Sequence, residues 1–202
     1  MRYFGKTGMK IKRVGFGGIP IQRISQEDTN KVIDELEKCG VNFIDTARGY
    51  TVSEEYLGNA LKGRREKFYI ATKSMSRDYE SMKRDIEISL KNLQTDYIDL
   101  YQMHNVKPAE YDTLFGEDKA YRALLEAKEK GKIKHIGITS HGLETVEKAV
   151  ESDKFETIQF PYNIVENQAD EVFKRAYEKG VGTIVMKPLA GGAIDDGTLA
   201  MK

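Results

Sequence analysis

The sequence contains very little cysteine and no long apolar run. Cys39 is the only cysteine among 202 residues, which excludes an internal disulfide and a multi-cysteine metal site. We expect this side chain to be a small buried hydrophobic group. No stretch approaches the roughly 18 apolar residues of a membrane span, and no apolar segment follows the early basic residues as in a secretory signal. These absences predict no membrane association and a cytoplasmic location.

Neither sign of charge is in surplus. Lys and Arg together number 32, as do Asp and Glu, so the formal net charge is zero. Affinity for a phosphate backbone requires a basic surplus on one face, so we expect no nucleic-acid partner. The histidines have no partner at a metal-ligand spacing, so we expect no metal site.

After an initial hairpin, the chain alternates between short β-rich runs and amphipathic helical segments. Gly5 and Gly8 supply turn residues for a hairpin over residues 2–13. Seven strands are predicted at residues 14–18, 42–47, 68–73, 98–104, 133–139, 157–162 and 183–188. Helices are predicted at residues 26–38, 54–61, 79–93, 121–129, 143–150 and 170–177.

Three of the predicted helices end in the same way, with Lys in the last turn and then Gly40, Gly131 or Gly180. Lysine complements the negative end of the helix dipole, and glycine adopts the left-handed conformation that ends a helix. A strand follows each time. This alternation predicts right-handed βαβ units and a parallel sheet.

Two parallel-sheet architectures fit this alternation. An open doubly wound sheet usually has about five or six strands, whereas a closed (β/α)8 barrel needs eight. Seven strands, after a hairpin that can plug the bottom, favour a TIM barrel that lacks its eighth strand, helix and C-terminal loop. We expect a single domain over residues 1–202. We also expect either that a partner element, for example through self-association, covers the two open strand edges, or that the isolated chain is marginally stable.

Polar side chains stand at the predicted ends of three successive strands, where barrels place their reactive groups. They are Asp45, Lys73 and His104, and Tyr50 lies in the loop after Asp45. A cation beside a phenol stabilises the phenolate, so we expect Lys73 to lower the pKa of Tyr50 and make it a proton donor near neutral pH. His104 can hydrogen-bond a carbonyl oxygen. The set suits proton delivery to a carbonyl that a nicotinamide cofactor reduces.

The motifs around these residues resemble those of the aldo-keto reductase family. They are DTARGY at residues 45–50, SE at 53–54, LG at 57–58, ATK at 71–73 and DLYQMH at 99–104, and the residues RGYT at 48–51 resemble a microbial subgroup. The resemblance extends from the hairpin to residues 189–192. It implies a TIM barrel that reduces an aldehyde or ketone with hydride from NADPH, less often NADH. It also implies that Tyr50 donates the proton, that Lys73 and Asp45 tune it, and that His104 orients the carbonyl.

The resemblance further implies a set of cofactor contacts. Ser140 and Gln159 match the residues that hold the nicotinamide carboxamide, and His141 stands where the family usually has asparagine. Met186 takes the position of an often aromatic residue that stacks on the nicotinamide ring. The implied cofactor-binding residues are Ser140, His141, Gln159, Met186, Lys187, Pro188 and Leu189. NADPH preference is implied by the family alone, because the segment that binds the adenosine 2′-phosphate is the expected missing one.

Taken singly, each of these residues also has a structural explanation, and only their joint occurrence favours catalysis. Two other functions stay open. Lys73 or Lys187, each near a strand end, can form a Schiff base as in a lyase. Alternatively, the chain is a non-catalytic nucleotide-binding partner subunit that senses the redox state of the cofactor.

The segment after His104, residues 105–119, is long for a loop and is partly apolar. We expect it to form part of the pocket wall. Its apolar side chains then indicate an apolar substrate face, through Val106, Tyr111, Leu114 and Phe115.

Overall fold

In a computed structural model, which describes residues 1–195, a two-stranded hairpin precedes a curled sheet of seven parallel strands. The antiparallel hairpin consists of β1 (Arg2–Tyr3) and β2 (Lys10–Ile11). The parallel strands are β3 (Phe16–Gly17), β4 (Phe43–Asp45), β5 (Tyr69–Ser74), β6 (Ile98–Met103), β7 (Ile133–Thr139), β8 (Thr157–Pro161) and β9 (Gly182–Met186).

Six α-helices follow strands in the described part of the chain. They are α1 (Gln26–Lys38), α2 (Ser53–Ala60), α3 (Tyr79–Leu93), α4 (Ala120–Glu129), α5 (Leu143–Glu151) and α6 (Asp170–Glu178). The Ser25 hydroxyl caps α1 by accepting a hydrogen bond from the Asp28 N–H at 3.0 Å, an interaction that contributes about 1 kcal/mol. Gly40, just after α1, has φ of 67°, the left-handed conformation predicted for it.

The order of the strands in the sheet confirms the barrel prediction. Each of β3 to β8 pairs in parallel with the next strand along the chain, and the sheet curls as a half-barrel. Over residues 1–195, β3 and β9 do not pair with each other. β3 is shorter than predicted at both ends, and a 3₁₀ helix, Ile19–Arg23, begins directly after Gly18 with a proline in its first turn.

Side chains along each strand alternate between two packing layers. The outer layer packs against the helices and includes Ile44, Ile70 and Ile138, all fully buried together with Ile33 of α1. A smaller inner cluster contains side chains from the opposite face of the strands, among them Phe43, Ala71 and Leu100. The inner face therefore changes from apolar at the strand starts to polar at the strand ends.

The hairpin closes the inner cluster at the amino ends of the strands, as predicted for a plug. The Phe4 ring packs edge-on against Phe43, with 5.8 Å between ring centroids. The Lys6 N–H donates to the Gly180 carbonyl oxygen at 2.6 Å, directly before β9. A methyl group at Gly182 would lie 2.7 Å from the Phe4 ring, so glycine is needed there. The hairpin thus blocks access to the inner face from the amino ends of the strands.

The prediction of a buried Cys39 is wrong. This residue caps the C-terminus of α1, where the helix end faces solvent, and its side chain is exposed. None of the helices within residues 1–195 is long and apolar enough to cross a membrane.

Candidate active site

Three of the four predicted catalytic side chains stand at the carboxyl ends of neighbouring strands. Asp45 ends β4, Lys73 lies one residue before the end of β5, and His104 follows β6 directly. The Lys73 Nζ donates to Asp45 Oδ2 at 2.7 Å and to the Thr46 carbonyl oxygen at 2.7 Å. Lys73 is only 2% exposed, so this ion pair is held out of water. Such a pair is stable only with good geometry and further hydrogen bonds, and both are present here.

Tyr50 reaches the ion pair from the loop between β4 and α2. The Lys73 Nζ lies 4.9 Å from the centroid of the Tyr50 ring, and the His104 ring stands edge-on to Tyr50 with 6.1 Å between centroids. The structure therefore brings Asp45, Tyr50, Lys73 and His104 together at one rim, as the sequence predicted.

A buried carboxylate anchors the loop that carries Tyr50. Glu54 on α2 is 1% exposed, and its Oε2 accepts a hydrogen bond from Arg48 Nη1 at 2.7 Å. Its Oε1 accepts from the hydroxyls of Thr72 and Ser89, each at 2.7 Å. Asn92 donates to Oε2 at 3.4 Å. Glu54 thus links Arg48, which lies near Tyr50 in the chain, to Thr72, which precedes Lys73, and to α3.

The close approach of α2 to α3 makes this anchor possible. A methyl group at Gly58 would lie 2.2 Å from the Asn92 carbonyl oxygen, so only glycine permits the contact. Residues 53–54 and 57–58 were predicted only as parts of a motif. Glu54 and Arg48 were not predicted as members of the site, although a Glu so close to a predicted catalytic tyrosine is a visible signal.

The prediction that Lys73 lowers the pKa of Tyr50 is wrong for this structure. Burial of the phenol and the nearby negative charge of Asp45 raise the pKa of Tyr50 to about 12. Lys73 does not offset them because its ammonium is already bound to Asp45 and lies over the ring. Tyr50 therefore keeps its proton throughout the physiological range and loses it only to a strong base.

His104 is uncharged at neutral pH. Burial, then the positive charges of Lys73 and Arg77, lower the pKa of His104 to about 4. Its backbone is fixed, since the N–H donates to the Ser74 carbonyl oxygen at 2.8 Å and Arg77 Nη2 donates to its carbonyl oxygen at 2.9 Å. The ring Nδ1 has no hydrogen-bond partner among the described residues. A neutral imidazole in this position can donate one N–H to a substrate oxygen.

Gln159, a predicted cofactor ligand, lies beside the ion pair. Its Nε2 donates to Asp45 Oδ2 at 3.4 Å, and its Oε1 accepts from Gln102 Nε2 at 3.2 Å. Gln102 also donates to Asp45 Oδ1 at 3.2 Å. Gln102 was not predicted as a site residue. Its signal is positional, because it lies two residues before His104 and so faces the same side of β6.

Ser140 is fully buried after β7, and its hydroxyl has internal partners. Oγ donates to the Val106 carbonyl oxygen at 2.6 Å and accepts from the Gly142 N–H at 2.9 Å. Since its proton is taken by Val106, Ser140 can serve a ligand only as an acceptor through its remaining lone pair.

The other predicted cofactor residues lie at the end of β9 or in the segments that follow β7 and β9. Burial, then the positive charge of Lys187, lower the pKa of His141. Met186 ends β9 and is partly exposed. Lys187 has φ of 55°, a left-handed conformation that turns the chain sharply at the strand end. Pro188 and Leu189 continue this turn with exposed side chains.

The expectation that residues 105–119 present apolar side chains to a pocket is wrong. Pro108–Leu114 forms a 3₁₀ helix, and the three residues Val106, Tyr111 and Leu114 are buried in the outer core. Phe115 packs against Tyr111 with 5.4 Å between ring centroids. These groups stabilise the helix layer and carry no information on the substrate.

Comparisons with known proteins agree with the fold. Residues 13–201 match the family model described as the aldo/keto reductase family. The chain belongs to the aldo/keto reductase family. It is 29% identical over 216 residues to L-galactose dehydrogenase from Arabidopsis thaliana, an alignment that covers 97% of this chain and 67% of the relative. It is 30% identical over 213 residues to aldo-keto reductase YhdN from Bacillus subtilis, covering 93% of this chain and 61% of the relative.

Solved structures of aldo-keto reductases have the same fold. The holo form of an aldo-keto reductase from Bacillus halodurans matches with a TM-score of 0.84 at 29% identity, covering 95% of this chain and 67% of that one. A putative aldo-keto reductase from Pseudomonas aeruginosa matches with a TM-score of 0.85 at 28% identity, covering 95% of this chain and 79% of that one. This chain therefore spans about two thirds of the length of several relatives. Aldo-keto reductases use nicotinamide cofactors to reduce carbonyl compounds.

Proposed function

We propose that this protein reduces an aldehyde or ketone to the alcohol, with Tyr50 as the proton donor. The observation that carries the proposal is the buried Lys73–Asp45 ion pair beneath the Tyr50 ring, with the ring of a neutral His104 edge-on to the phenol. Four such groups at the carboxyl ends of barrel strands stand where this fold performs chemistry. NADPH is the proposed cofactor, with NADH as the alternative, and the substrate is a small carbonyl compound.

The proton transfer runs in the favourable direction. A bound dinucleotide would supply a hydride to the carbonyl carbon, which would leave the C=O π electrons on the oxygen as an alkoxide. An alkoxide is a stronger base than a phenolate, so Tyr50 with a pKa of about 12 can protonate it although it stays protonated in water. The neutral His104 can donate a hydrogen bond to the same oxygen and orient it before transfer.

The ion pair holds the charge around Tyr50 constant during this step. Lys73 is fixed by Asp45 and by the Thr46 carbonyl oxygen, so its ammonium stays over the ring when the phenolate forms. Because the ammonium is already in place, no group has to reorient when negative charge develops on the phenol. Solvent then returns the proton to Tyr50.

The residues near Asp45 fit the amide group of a nicotinamide. Gln159 has one Nε2 proton beyond the one given to Asp45, so it can donate to a carboxamide oxygen. Ser140 can accept from a carboxamide N–H through its free lone pair. Met186 supplies an apolar, polarisable side chain that can pack on a ring. His141, Lys187, Pro188 and Leu189 complete the proposed cofactor rim.

The Schiff-base alternative is disfavoured at Lys73. A nucleophilic amine must be unprotonated and free, whereas Lys73 donates two short hydrogen bonds and is paired with a carboxylate. Borohydride treatment with a carbonyl compound tests the alternative at both Lys73 and Lys187. A covalent adduct on either lysine would support a lyase instead of a reductase.

A fluorescence titration with NADPH and NADH, followed by a panel of small aldehydes, tests the proposed function. We expect saturable binding of at least one dinucleotide, and loss of its absorbance when an aldehyde is added, with the alcohol as product. Binding without turnover across the panel would favour the non-catalytic sensor subunit. Absence of binding to either dinucleotide would contradict both.

A further inference from the structure

Gln102 stands between the proton-donor pair and the proposed cofactor ligand. It is fully buried on β6, and its register partners are Lys73 on β5 and Gly137 on β7. One nitrogen atom, Nε2, donates to Asp45 Oδ1 at 3.2 Å and to Gln159 Oε1 at 3.2 Å. Both protons of the amide are therefore used, one on each side.

Asp45 fixes the orientation of both glutamine amides. A carboxylate only accepts hydrogen bonds, so each amide must turn its nitrogen towards Asp45. Gln159 does so at 3.4 Å, which turns its Oε1 towards Gln102. The orientation of Gln159 thus depends on two contacts, and Gln102 supplies the shorter one.

The bond from Gln102 to Gln159 crosses an entire strand. Gln102 lies on β6 and Gln159 on β8, with β7 between them. Gly137 of β7 leaves the path open, because a methyl group there would lie 3.1 Å from the Gln102 Cγ and 2.2 Å from the Thr157 Oγ1. A glycine at this register position and a side chain as long as glutamine are both required for the contact.

The described part of the protein satisfies only the nitrogen of the Gln102 amide. The Gln102 Oε1 is buried and has no hydrogen-bond partner among the described residues, which is unfavourable for folding. An apolar side chain of similar length would remove that unpaired oxygen, but it would leave Asp45 Oδ1 and Gln159 Oε1 without the donor that they share.

We propose that Gln102 is a positioning residue that sets the orientation of the Gln159 amide towards the nicotinamide and links it to the Asp45–Lys73 pair. This inference rests on the proposed function, because it assigns Gln159 to the carboxamide. Gln102 itself touches neither the substrate nor the reacting atoms. Its loss lets the Gln159 amide rotate, so the nicotinamide half of the cofactor loses a directed hydrogen bond.

The test compares Gln102→Met with the wild-type protein for two ligands, NADPH and 2′-phospho-ADP-ribose, which lacks the nicotinamide. Methionine has nearly the same length and shape but donates no hydrogen bond. We expect the Kd for NADPH to rise about tenfold, the equivalent of one hydrogen bond, while the Kd for 2′-phospho-ADP-ribose changes less than about twofold. Gln102→Asn, which keeps the amide but is too short to cross Gly137, should weaken NADPH binding to a similar degree.

Thr157→Val is the matched control, since Thr157 is a buried inner-face neighbour whose hydroxyl has no partner among the described residues. It should leave both affinities unchanged. Equal weakening of the two ligands by Gln102→Met would indicate a merely structural role and overturn the inference, as would unchanged binding of NADPH. If the wild-type protein binds no dinucleotide, the proposed function fails and the inference with it. Normal binding by Gln102→Met removes the inference alone.

Discussion

Truncation of Glu54 to alanine should destabilise the protein strongly, because this carboxylate is the buried anchor of the Tyr50 loop. It is 1% exposed, and three of its hydrogen-bond donors lie at 2.7 Å, those from Arg48, Thr72 and Ser89. Removing one member of a buried ion pair costs about 3–5 kcal/mol. Two hydroxyls also lose their acceptor, whereas Arg48 keeps Asp85 at 3.9 Å as a weak second partner. We therefore expect a loss of about 4 kcal/mol in the free energy of unfolding.

Urea denaturation followed by circular dichroism measures this loss, and the melting temperature should fall by about 10 °C. Glu54→Gln keeps an oxygen for the two hydroxyls but lacks the charge that pairs with Arg48, so its loss should be about 2 kcal/mol. Glu55→Ala, a change at the exposed neighbouring residue, should stay within about 0.5 kcal/mol of the wild type. A loss below about 1 kcal/mol for Glu54→Ala would refute the anchoring role.

Three further predictions concern pH and packing. Burial raises the pKa of Glu156, but hydrogen bonds from His135 and Lys128 outweigh it and lower the pKa to about 2. The charged Glu156 therefore stabilises the fold at pH values above the usual pKa of a glutamate, and this stabilisation is lost as pH falls towards 2. Urea denaturation should accordingly find Glu156→Gln less stable than the wild type at pH 7, with a much smaller difference at pH 2. Gly58→Ala should lower the free energy of unfolding by about 2 kcal/mol or more, because the added methyl group would lie 2.2 Å from a carbonyl oxygen of α3; a neutral effect would contradict the close approach. Since the pKa of His104 is about 4, the pH profile of kcat/KM should show no inflection near pH 6.5 that comes from His104. An inflection near pH 6.5 in the wild type that disappears in His104→Gln would contradict this.

Helix positions and strand order could be predicted because they depend on local signals. The bounds of α1 and α3 match the prediction, since Ser25 and Asp78 cap their first turns and apolar residues follow the helical period. The left-handed Gly40 ends α1 as expected. The grouping of Asp45, Lys73 and His104 followed from parallel strands alone, because their carboxyl ends meet at one rim.

The interactions that the sequence did not reveal depend on distances between strands that are remote in the chain. Contact between Gln102 and Gln159 requires the register of β6, β7 and β8 and the absence of a side chain at Gly137. The direction of the Tyr50 pKa shift required knowing that Lys73 is already paired with Asp45 and that the phenol is largely buried. Residue types indicate which groups can interact, whereas only the packed structure shows which of the possible partners each group binds.

Replacement of Tyr50 by phenylalanine is the most direct test of the chemistry, because it removes one hydroxyl and leaves the ring over Lys73 in place. Carbonyl reduction should be measured at saturating dinucleotide, with Tyr56→Phe on α2 as the control and the cofactor Kd determined for each variant. We expect Tyr50→Phe to lose turnover at least about a hundredfold with cofactor affinity unchanged, and Tyr56→Phe to retain both. Near wild-type turnover by Tyr50→Phe would show that another group delivers the proton.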